Sequence, residues 1–290
     1  MRPFPQAISV VMRSFNEAWA IGDTIRELFA QDFDGEIELI VIDSGSSDGS
    51  IGIIKETGRA KLIQIPLGTY VPGVVLNQGA REATHDWIVY LNADATPVGK
   101  NWLTSLIQPC LADPKFGAGF SRQIPRPDCK AVFAHDYDRC FGPERESKNW
   151  DHFFSMVSSI THRSVLDEHP FREDLQYAED DEWTRRLAAA GFSIPYAIDS
   201  VVTHSHNYTV RQSYKRLFGD AKAMSAAGTA PPEKNLVLGW LADSLRDAKW
   251  CLKNHRLGGL PFATAVRLAQ RLGRRDGNRA GRQVFQRSQS

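Results

Sequence analysis

The first third of this 290-residue chain alternates between short apolar runs and segments with helical periodicity. Four apolar runs predict strands, at 8–12, 37–42, 62–65 and 87–91. Between them, apolar side chains recur at helical spacing in residues 17–30 and 74–84. This alternation predicts an α/β fold with a mostly parallel central sheet flanked by helices. Ligands of such sheets bind beyond the carboxyl ends of the strands, where polar residues follow three of these runs.

The composition is that of an ordinary folded protein, with 42% hydrophobic and 24% charged residues. No apolar stretch reaches the ~18–20 residues that a membrane span needs. The first residues, MRPFPQAISVVMRS, lack the apolar core and cleavage site of a secretion signal. We therefore expect a cytoplasmic protein. The stretch from 115 to 175 shows less periodicity, and we expect binding loops there, with 128–160 shaping an acceptor site.

The charge is unevenly distributed along the chain. From residue 246 onward there are eleven basic residues and two acidic ones, so this tail carries +9 and the rest −8. In 260–275, apolar side chains such as Phe262 and Val266 lie on one side of a predicted helix and four arginines on the other. Such a helix either binds an anionic membrane surface or docks on the domain. Three glycines, Gly273, Gly277 and Gly281, predict that its last part frays.

Polar residues that follow predicted strands could bind a divalent cation and the ribose or diphosphate of a ligand. Asp94 follows a buried strand, and Mg²⁺ or Mn²⁺ prefers such oxygen ligands, although an aspartate there also suits a turn. His204, in the sequence His204-Ser205-His206, could complete a metal site, contact a diphosphate or be structural. Asp43 also ends a strand, and it could accept from a ribose hydroxyl or simply cap a turn.

Four consecutive acids, at 179–182, open a predicted helix. Negative side chains suit a helix N-terminus, so capping alone could explain them. Clustered acids also repel one another, and such crowding is tolerated where a proton or a cation is handled. One of them could therefore act as a general base that removes a proton from an attacking hydroxyl.

Together, SVVMRSFNE, VIDSGSSDGS, YLNADA and AEDDEW resemble the motifs of a family 2 glycosyltransferase of the GT-A fold, over roughly residues 7–210. SRQIPRP at 121–127 and HSHNYT at 204–209 make the chain most similar to bacterial rhamnosyltransferase-like members. The resemblance implies a GT-A domain over 1–230, with nucleotide binding in about 1–115 and acceptor binding and catalysis in about 116–230. A basic helical extension would follow at 231–290.

The resemblance also implies residue roles. It assigns Asp180 as catalytic base, supported by Glu179 and Glu182, and Asp94 and His204 to the metal or diphosphate. The nucleotide-sugar pocket would be lined by Ser14, Asn16, Glu17, Asp43, Ser44, Asn77, Asn92, Ala93 and Asp94. Many members have Asp at the position of Asn92, so the resemblance leaves strict dependence on Mg²⁺ or Mn²⁺ open.

The function implied is inverting transfer of a sugar, rhamnose first, from a dTDP-linked donor to a glycan or lipid-linked acceptor in cell-surface polysaccharide synthesis. A UDP-linked hexose is the alternative donor. A lipid-linked acceptor would place the enzyme on the inner face of the plasma membrane. A sugar nucleotidyltransferase would need a glycine- and lysine-rich phosphate loop after the first strand, and Arg13-Ser14-Phe15-Asn16 offers none. A nucleic-acid binder is disfavoured by the acidic body, so no nucleic-acid partner is expected.

Overall fold

The computed structural model describes residues 3–150, 152–230 and 235–289, with side chains described up to residue 284. Eight strands occur in these ranges: β1 Ala7–Ser14, β2 Glu36–Asp43, β3 Ala60–Gln64, β4 Trp87–Asn92, β5 Thr96–Pro97, β6 Ala118–Ile124, β7 Ser158–His162 and β8 Tyr196–Thr203. Ten α-helices accompany them: α1 Ile21–Phe29, α2 Ser50–Glu56, α3 Pro72–Glu82, α4 Trp102–Ala112, α5 Ala131–Phe141, α6 Arg163–Glu168, α7 Glu179–Ala189, α8 Val210–Ala226, α9 Leu236–Lys253 and α10 Leu260–Gln289.

The chain divides into two compact units. The first unit comprises residues 1–124, 141–175 and 179–204, and the second comprises 125–140, 176–178 and 205–290. All eight strands belong to the first unit. The second unit is helical, and it includes α8, α9 and α10.

The strands of the first unit form one mixed sheet in the order β3-β2-β1-β4-β7-β6-β8-β5. The four strands predicted from the sequence are mutually parallel, and β7 then pairs antiparallel with both β4 and β6. The core strands β1, β2 and β4 are buried on both faces over most of their length, which explains why only Ser9 and Glu38 interrupt their apolar runs. The expected α/β architecture is confirmed, with a parallel half and a mixed half.

The expectation of an irregular middle was wrong, since 115–175 contains β6, α5, β7 and α6. The strands escaped detection because polar side chains lie inside the protein there. Ser121 on β6 is fully buried and hydrogen-bonds the hydroxyls of Ser158 and Ser200, at 2.7 Å each. A buried serine with hydroxyl partners satisfies its polar group, but it breaks the apolar pattern by which a strand is recognised.

In the second unit, α10 is a continuous helix to Gln289, so the prediction that its end frays was also wrong. Its three glycines lie one turn apart and face α8. A Cβ added at Gly273, Gly277 or Gly281 would lie 2.3–2.4 Å from a backbone oxygen of α8. Such distances are far shorter than any van der Waals contact, so these glycines let the two helix backbones approach closely.

The arginines of α10 are largely bound within the second unit. Arg267 is buried and forms ion pairs with Asp247 and Asp136, at 2.8 Å each, and Arg271 pairs with Asp243. The helix is therefore docked, which was the second of the two interpretations of the sequence. Over the described ranges, no helix combines the length and the apolar character needed to cross a membrane.

Candidate functional site

The polar ends of three parallel strands lie side by side at one edge of the sheet. The register pairs Ser14 of β1 with Asp43 of β2, and Arg13 of β1 with Asn92 of β4. Backbone hydrogen bonds continue beyond the strands, since the Ala93 N–H donates to the Arg13 carbonyl at 3.1 Å. The edge therefore holds the segments that the sequence marked as ligand-binding.

Two loops are tied together beyond β1 and β2. Asp43 accepts hydrogen bonds from the N–H groups of Gly45 and Ser46 (3.0 and 2.8 Å) and from the Ser46 hydroxyl (2.5 Å). Asn16, at φ +55°, donates its N–H to Ser46 Oγ (2.8 Å) and accepts the Ser47 N–H at Oδ1 (2.9 Å). The carboxylate of Asp43 thus caps its own turn, and its contact with a ribose or base stays a prediction.

The same two loops share further backbone contacts. The Ser44 N–H donates to the Ser14 carbonyl at 3.0 Å, and the Glu17 N–H donates to the Ser50 hydroxyl at 2.9 Å. Ser14 and Ser44 are buried, whereas Asn16 is exposed. The predicted nucleotide-binding residues from Ser14 to Glu17 therefore belong to one hydrogen-bonded rim with the 43–50 loop.

A short antiparallel pair brings Asp94 and His204 together. Thr96 of β5 pairs with Thr203 of β8, so the residues just before β5 lie beside those just after β8. Asp94 and His204 are both buried, and Asp94 Oδ2 lies 3.6 Å from His204 Nε2. That separation exceeds a hydrogen bond, and it suits two ligands that share one ion.

A glutamine fixes the ring of His204. His204 Nδ1 lies 2.9 Å from Gln123 Oε1, and Gln123 Nε2 donates to Ser155 Oγ at 2.7 Å. Because the amide nitrogen is used by Ser155, the amide oxygen faces the ring and Nδ1 carries the proton. The lone pair of Nε2 then points toward Asp94, which is the usual arrangement of a metal-binding histidine with a hydrogen-bonded second nitrogen. The carboxylate suits Mn²⁺ or Mg²⁺, and the neutral imidazole favours a transition metal such as Mn²⁺ over Mg²⁺.

The four acids of α7 separate into two pairs. Asp181 and Glu182 each form an ion pair with an arginine one helical turn later, at 2.9 and 3.1 Å. Glu179 is buried, and its Oε1 lies 3.4 Å from Arg13 Nη1 at the sheet edge. Asp180 is half-buried, and its Oδ1 accepts the Asp181 N–H at 2.9 Å. The structure therefore brings Glu179 to the strand ends, whereas Glu182 forms its ion pair with an arginine of the same helix.

Arg13 joins the separate parts of this edge. Its guanidinium donates to Asn92 Oδ1 at 2.9 Å and to the Tyr70 hydroxyl at 3.1 Å, in addition to its contact with Glu179. Burial lowers the pKa of Arg13, but Tyr70, Glu179 and Asp180 outweigh it, so the pKa is raised and the group stays charged. The amide oxygen of Asn92 is thus used by Arg13.

The pKa of Glu179 is raised to about 7. Burial is the main cause, and repulsion from Asp180 adds to it, whereas attraction to Arg13 opposes both. The ion pair with Arg13 is therefore too weak to keep this carboxyl in its ordinary range. A carboxyl that titrates near neutral pH is typical of a site that handles protons.

Asn77 lies in α3, and its amide is occupied by a neighbouring loop. Its Nδ2 donates to the Phe171 carbonyl (2.9 Å) and Glu173 Oε1 (3.0 Å), and its Oδ1 accepts the Phe171 N–H (3.0 Å). The structure shows Asn77 as a support of the 171–173 loop, and its predicted contact with the nucleotide stays a prediction.

Sequence reasoning did not select Arg13, Tyr70 or Gln123. Arg13 follows an apolar run directly, and the register of parallel strands would have placed it beside Asn92. Gln123 lies in SRQIPRP, a motif that carried the resemblance but gave Gln123 no role, and no local signal marks Tyr70, whose partner Arg13 lies 57 residues away along the chain.

Comparison with known proteins assigns the chain to a family. The sequence model of glycosyl transferase family 2 matches residues 9–169. The chain belongs to glycosyl transferase family 2. The resemblance predicted from the four motifs is confirmed.

Two curated relatives are O-antigen chain rhamnosyltransferases of Salmonella. RfbN of Salmonella typhimurium strain LT2 is 28% identical over 192 residues, which cover 62% of this chain and 61% of that protein. WbaN of Salmonella anatum is 27% identical over 223 residues, covering 73% and 70%. The chain thus spans about three fifths of the length of the first relative and more of the second.

Solved structures show the same fold at low identity. A mannosyltransferase of Pyrobaculum calidifontis, PcManGT, in complex with GDP-Man and Mn²⁺, has a TM-score of 0.58 and 20% identity, covering 89% of this chain and 73% of that one. Glucosyl-3-phosphoglycerate synthase of Mycobacterium tuberculosis, with Mn²⁺, UDP-glucose and phosphoglyceric acid, has a TM-score of 0.52 and 19% identity, covering 79% and 81%. Both support the predicted GT-A fold.

Proposed function

We propose that this protein is an inverting glycosyltransferase that moves rhamnose from a dTDP-linked donor to a hydroxyl of a glycan or lipid-linked glycan. The observation that carries the proposal is the buried Asp94–His204 pair at the sheet edge, at 3.6 Å. The two Salmonella rhamnosyltransferases favour rhamnose. UDP-glucose and GDP-mannose, the donors in the related solved structures, are the alternatives.

In this proposal the first unit binds the donor at the strand ends. Ser14, Asn16 and Glu17 line the nucleotide pocket with Asp43 and Ser44, and Asn77 supports it from α3. Asn92 and Ala93 lead the chain to Asp94, which with His204 holds Mg²⁺ or Mn²⁺. The bound ion would stabilise the negative charge that develops on the departing nucleoside diphosphate.

The proton is handled by the start of α7. Asp180 accepts the proton of the acceptor hydroxyl. The hydroxyl oxygen attacks the anomeric carbon of the donor sugar as the bond from that carbon to the diphosphate breaks. Displacement in line inverts that carbon, and no covalent intermediate with the protein is needed. Glu179 and Glu182 support the site, and Arg13 holds Glu179 and Asn92 in register.

The acceptor and the location are part of the same proposal. A glycan on a lipid carrier would serve cell-surface polysaccharide synthesis at the inner face of the plasma membrane. Residues 116–230 would form the acceptor and catalytic part of a domain over 1–230, followed by the extension at 231–290.

The test replaces the proposed base and its neighbour. Asp180→Asn should lower transfer ~10²–10⁴-fold, as expected for loss of a general base. Donor binding, measured by thermal shift with Mn²⁺, should remain. Asp181→Asn is the matched control, because Asp181 is paired with an arginine on the helix surface and should leave transfer unchanged.

The donor and the stereochemistry are decided in the same assay. Purified protein is offered dTDP-rhamnose, UDP-glucose and GDP-mannose, and the anomeric configuration of the product is read by NMR. Wild-type rates in Asp180→Asn, or a product with retained configuration, would refute the proposed mechanism.

A further inference from the structure

Helix α9 carries apolar side chains on the face that it turns to solvent. Leu238, Leu241, Leu245 and Leu252 are 68%, 46%, 63% and 65% exposed. Their spacings of 3, 4 and 7 residues place them in one stripe along the helix. At 1.5 Å per residue, the stripe is about 21 Å long. The opposite face holds the buried Asp247 and Cys251. The leucine stripe therefore contributes little to the packing of the second unit.

Four exposed leucines on one face are unusual for the outer surface of a helix, where polar side chains normally lie opposite the core. Single exposed leucines are ordinary, but a contiguous apolar patch marks an interaction surface. No helix of the described residues can cross a membrane.

The charges around the stripe select its partner. Lys249 lies within the stripe and Lys253 at its end, and both are exposed. The two acids of α9, Asp243 and Asp247, lie on the inner side and are held by arginines of α10. The outer face of α9 thus presents leucines and cations together, as interfacial helices that bind anionic lipid do.

We propose that this leucine face of α9 docks the protein on an anionic bilayer. A second copy of the chain is a poorer occupant, because it would present the same cationic face and offer Lys249 and Lys253 no negative partner, whereas an anionic bilayer does. The sequence left open whether α10 binds an anionic membrane surface or docks on the domain. The proposal assigns the lipid contact to α9, since Arg267 and Arg271 are bound inside the unit. This docking proposal rests on the proposed function, because a lipid-linked acceptor would give the protein a reason to bind a bilayer.

The test is co-sedimentation of the full chain with vesicles of phosphatidylglycerol and phosphatidylcholine in equal parts, at low salt. The triple variant Leu241→Gln, Leu245→Gln, Leu252→Gln should lower the partition coefficient tenfold or more, since exposed side chains can change without loss of packing. The double variant Lys249→Glu, Lys253→Glu should lower it several-fold.

Matched controls come from exposed positions on α10. Leu268→Gln with Val284→Gln, and Arg279→Glu with Arg282→Glu, repeat the same chemistry on the neighbouring helix and should leave vesicle binding unchanged. Thermal unfolding by circular dichroism verifies that every variant is folded.

Three results would overturn the proposal. Wild-type protein could fail to bind the vesicles, or the α10 variants could lose binding while the α9 variants keep it. Alternatively, light scattering could show a wild-type dimer that the leucine variant converts to a monomer, so that a second copy covers the face. The vesicles contain neither donor nor acceptor, so the outcome is independent of sugar transfer, and donor binding by the same variants is measured separately.

Discussion

Replacement of Glu179 by glutamine should change how the stability of this protein depends on pH. Glutamine keeps the size of the side chain and an oxygen that can accept from Arg13, but it cannot ionise. Glu179 is buried, and its pKa rises from the ordinary value of 4.5 to about 7. The folded protein therefore holds this proton over a pH range in which the unfolded chain has already released it.

The sign and size of the effect follow from this difference. Where the folded state binds the additional proton, stability falls as pH rises. The difference between a pKa of 4.5 in the unfolded chain and about 7 in the folded protein, at 1.36 kcal/mol per pKa unit, corresponds to about 3 kcal/mol of stability. The contribution of Glu179 is complete below pH 4.5, declines between pH 4.5 and 7, and is lost above that range. Wild type should thus lose about 3 kcal/mol relative to Glu179→Gln across this range.

Urea unfolding of both proteins, followed by tryptophan fluorescence at half-unit steps from pH 4.5 to 8.5, measures the difference directly. Two further backgrounds test the causes. Asp180→Asn removes a repulsion and should move the midpoint of the decline to lower pH, whereas Arg13→Gln removes an attraction and should move it to higher pH. A difference between wild type and Glu179→Gln that stays flat, or that grows in favour of wild type with pH, would refute the reasoning.

Three other changes probe the helical unit and the cation site. Gly277→Val puts a Cβ 2.3 Å from a backbone oxygen of α8 and should cost about 1–3 kcal/mol in urea unfolding, and a stability equal to wild type would argue against close helix contact. Asp247→Asn leaves the buried Arg267 with one carboxylate fewer and should cost about 3–5 kcal/mol, measured in the same way. Gln123→Leu removes the hydrogen bond that orients His204, so the apparent affinity for Mn²⁺, measured by thermal shift, should fall about 10–100-fold. An unchanged affinity for Mn²⁺ would exclude His204 as a ligand oriented by Gln123.

The parallel half of the sheet could be predicted closely from sequence. Strands such as β1 and β4 are buried on both faces, so their runs are almost wholly apolar and their ends differ from prediction by only one or two residues. Strands β6 and β7 of the mixed half could not be predicted, because they carry buried serines whose hydroxyl partners lie on other strands. Periodicity registers which residues are apolar, whereas burial of a polar group depends on partners that only the fold supplies.

The extension illustrates the same limit in electrostatic terms. The sequence shows the net charge of a segment, and the +9 of the tail suggested a surface for anions. In the structure, Arg267 is buried between Asp136 and Asp247, so its charge is neutralised inside the unit. Meanwhile the leucines of α9, which a helical wheel alone would assign to a core, are exposed. Net charge alone therefore did not reveal that arginines of the tail are paired inside the unit.

Arg13 shows why a site predicted residue by residue remains incomplete. The motifs supplied Asn92 and Glu179 as separate candidates, each with an explanation of its own. The structure joins them through one guanidinium, at 2.9 Å from Asn92 Oδ1 and 3.4 Å from Glu179 Oε1. An aspartate at 92 would place a second carboxylate on Arg13, and it would divide the attraction that now partly offsets the burial of Glu179. Arg13 thus links Asn92 to Glu179, and its attraction limits how far burial raises the pKa of Glu179.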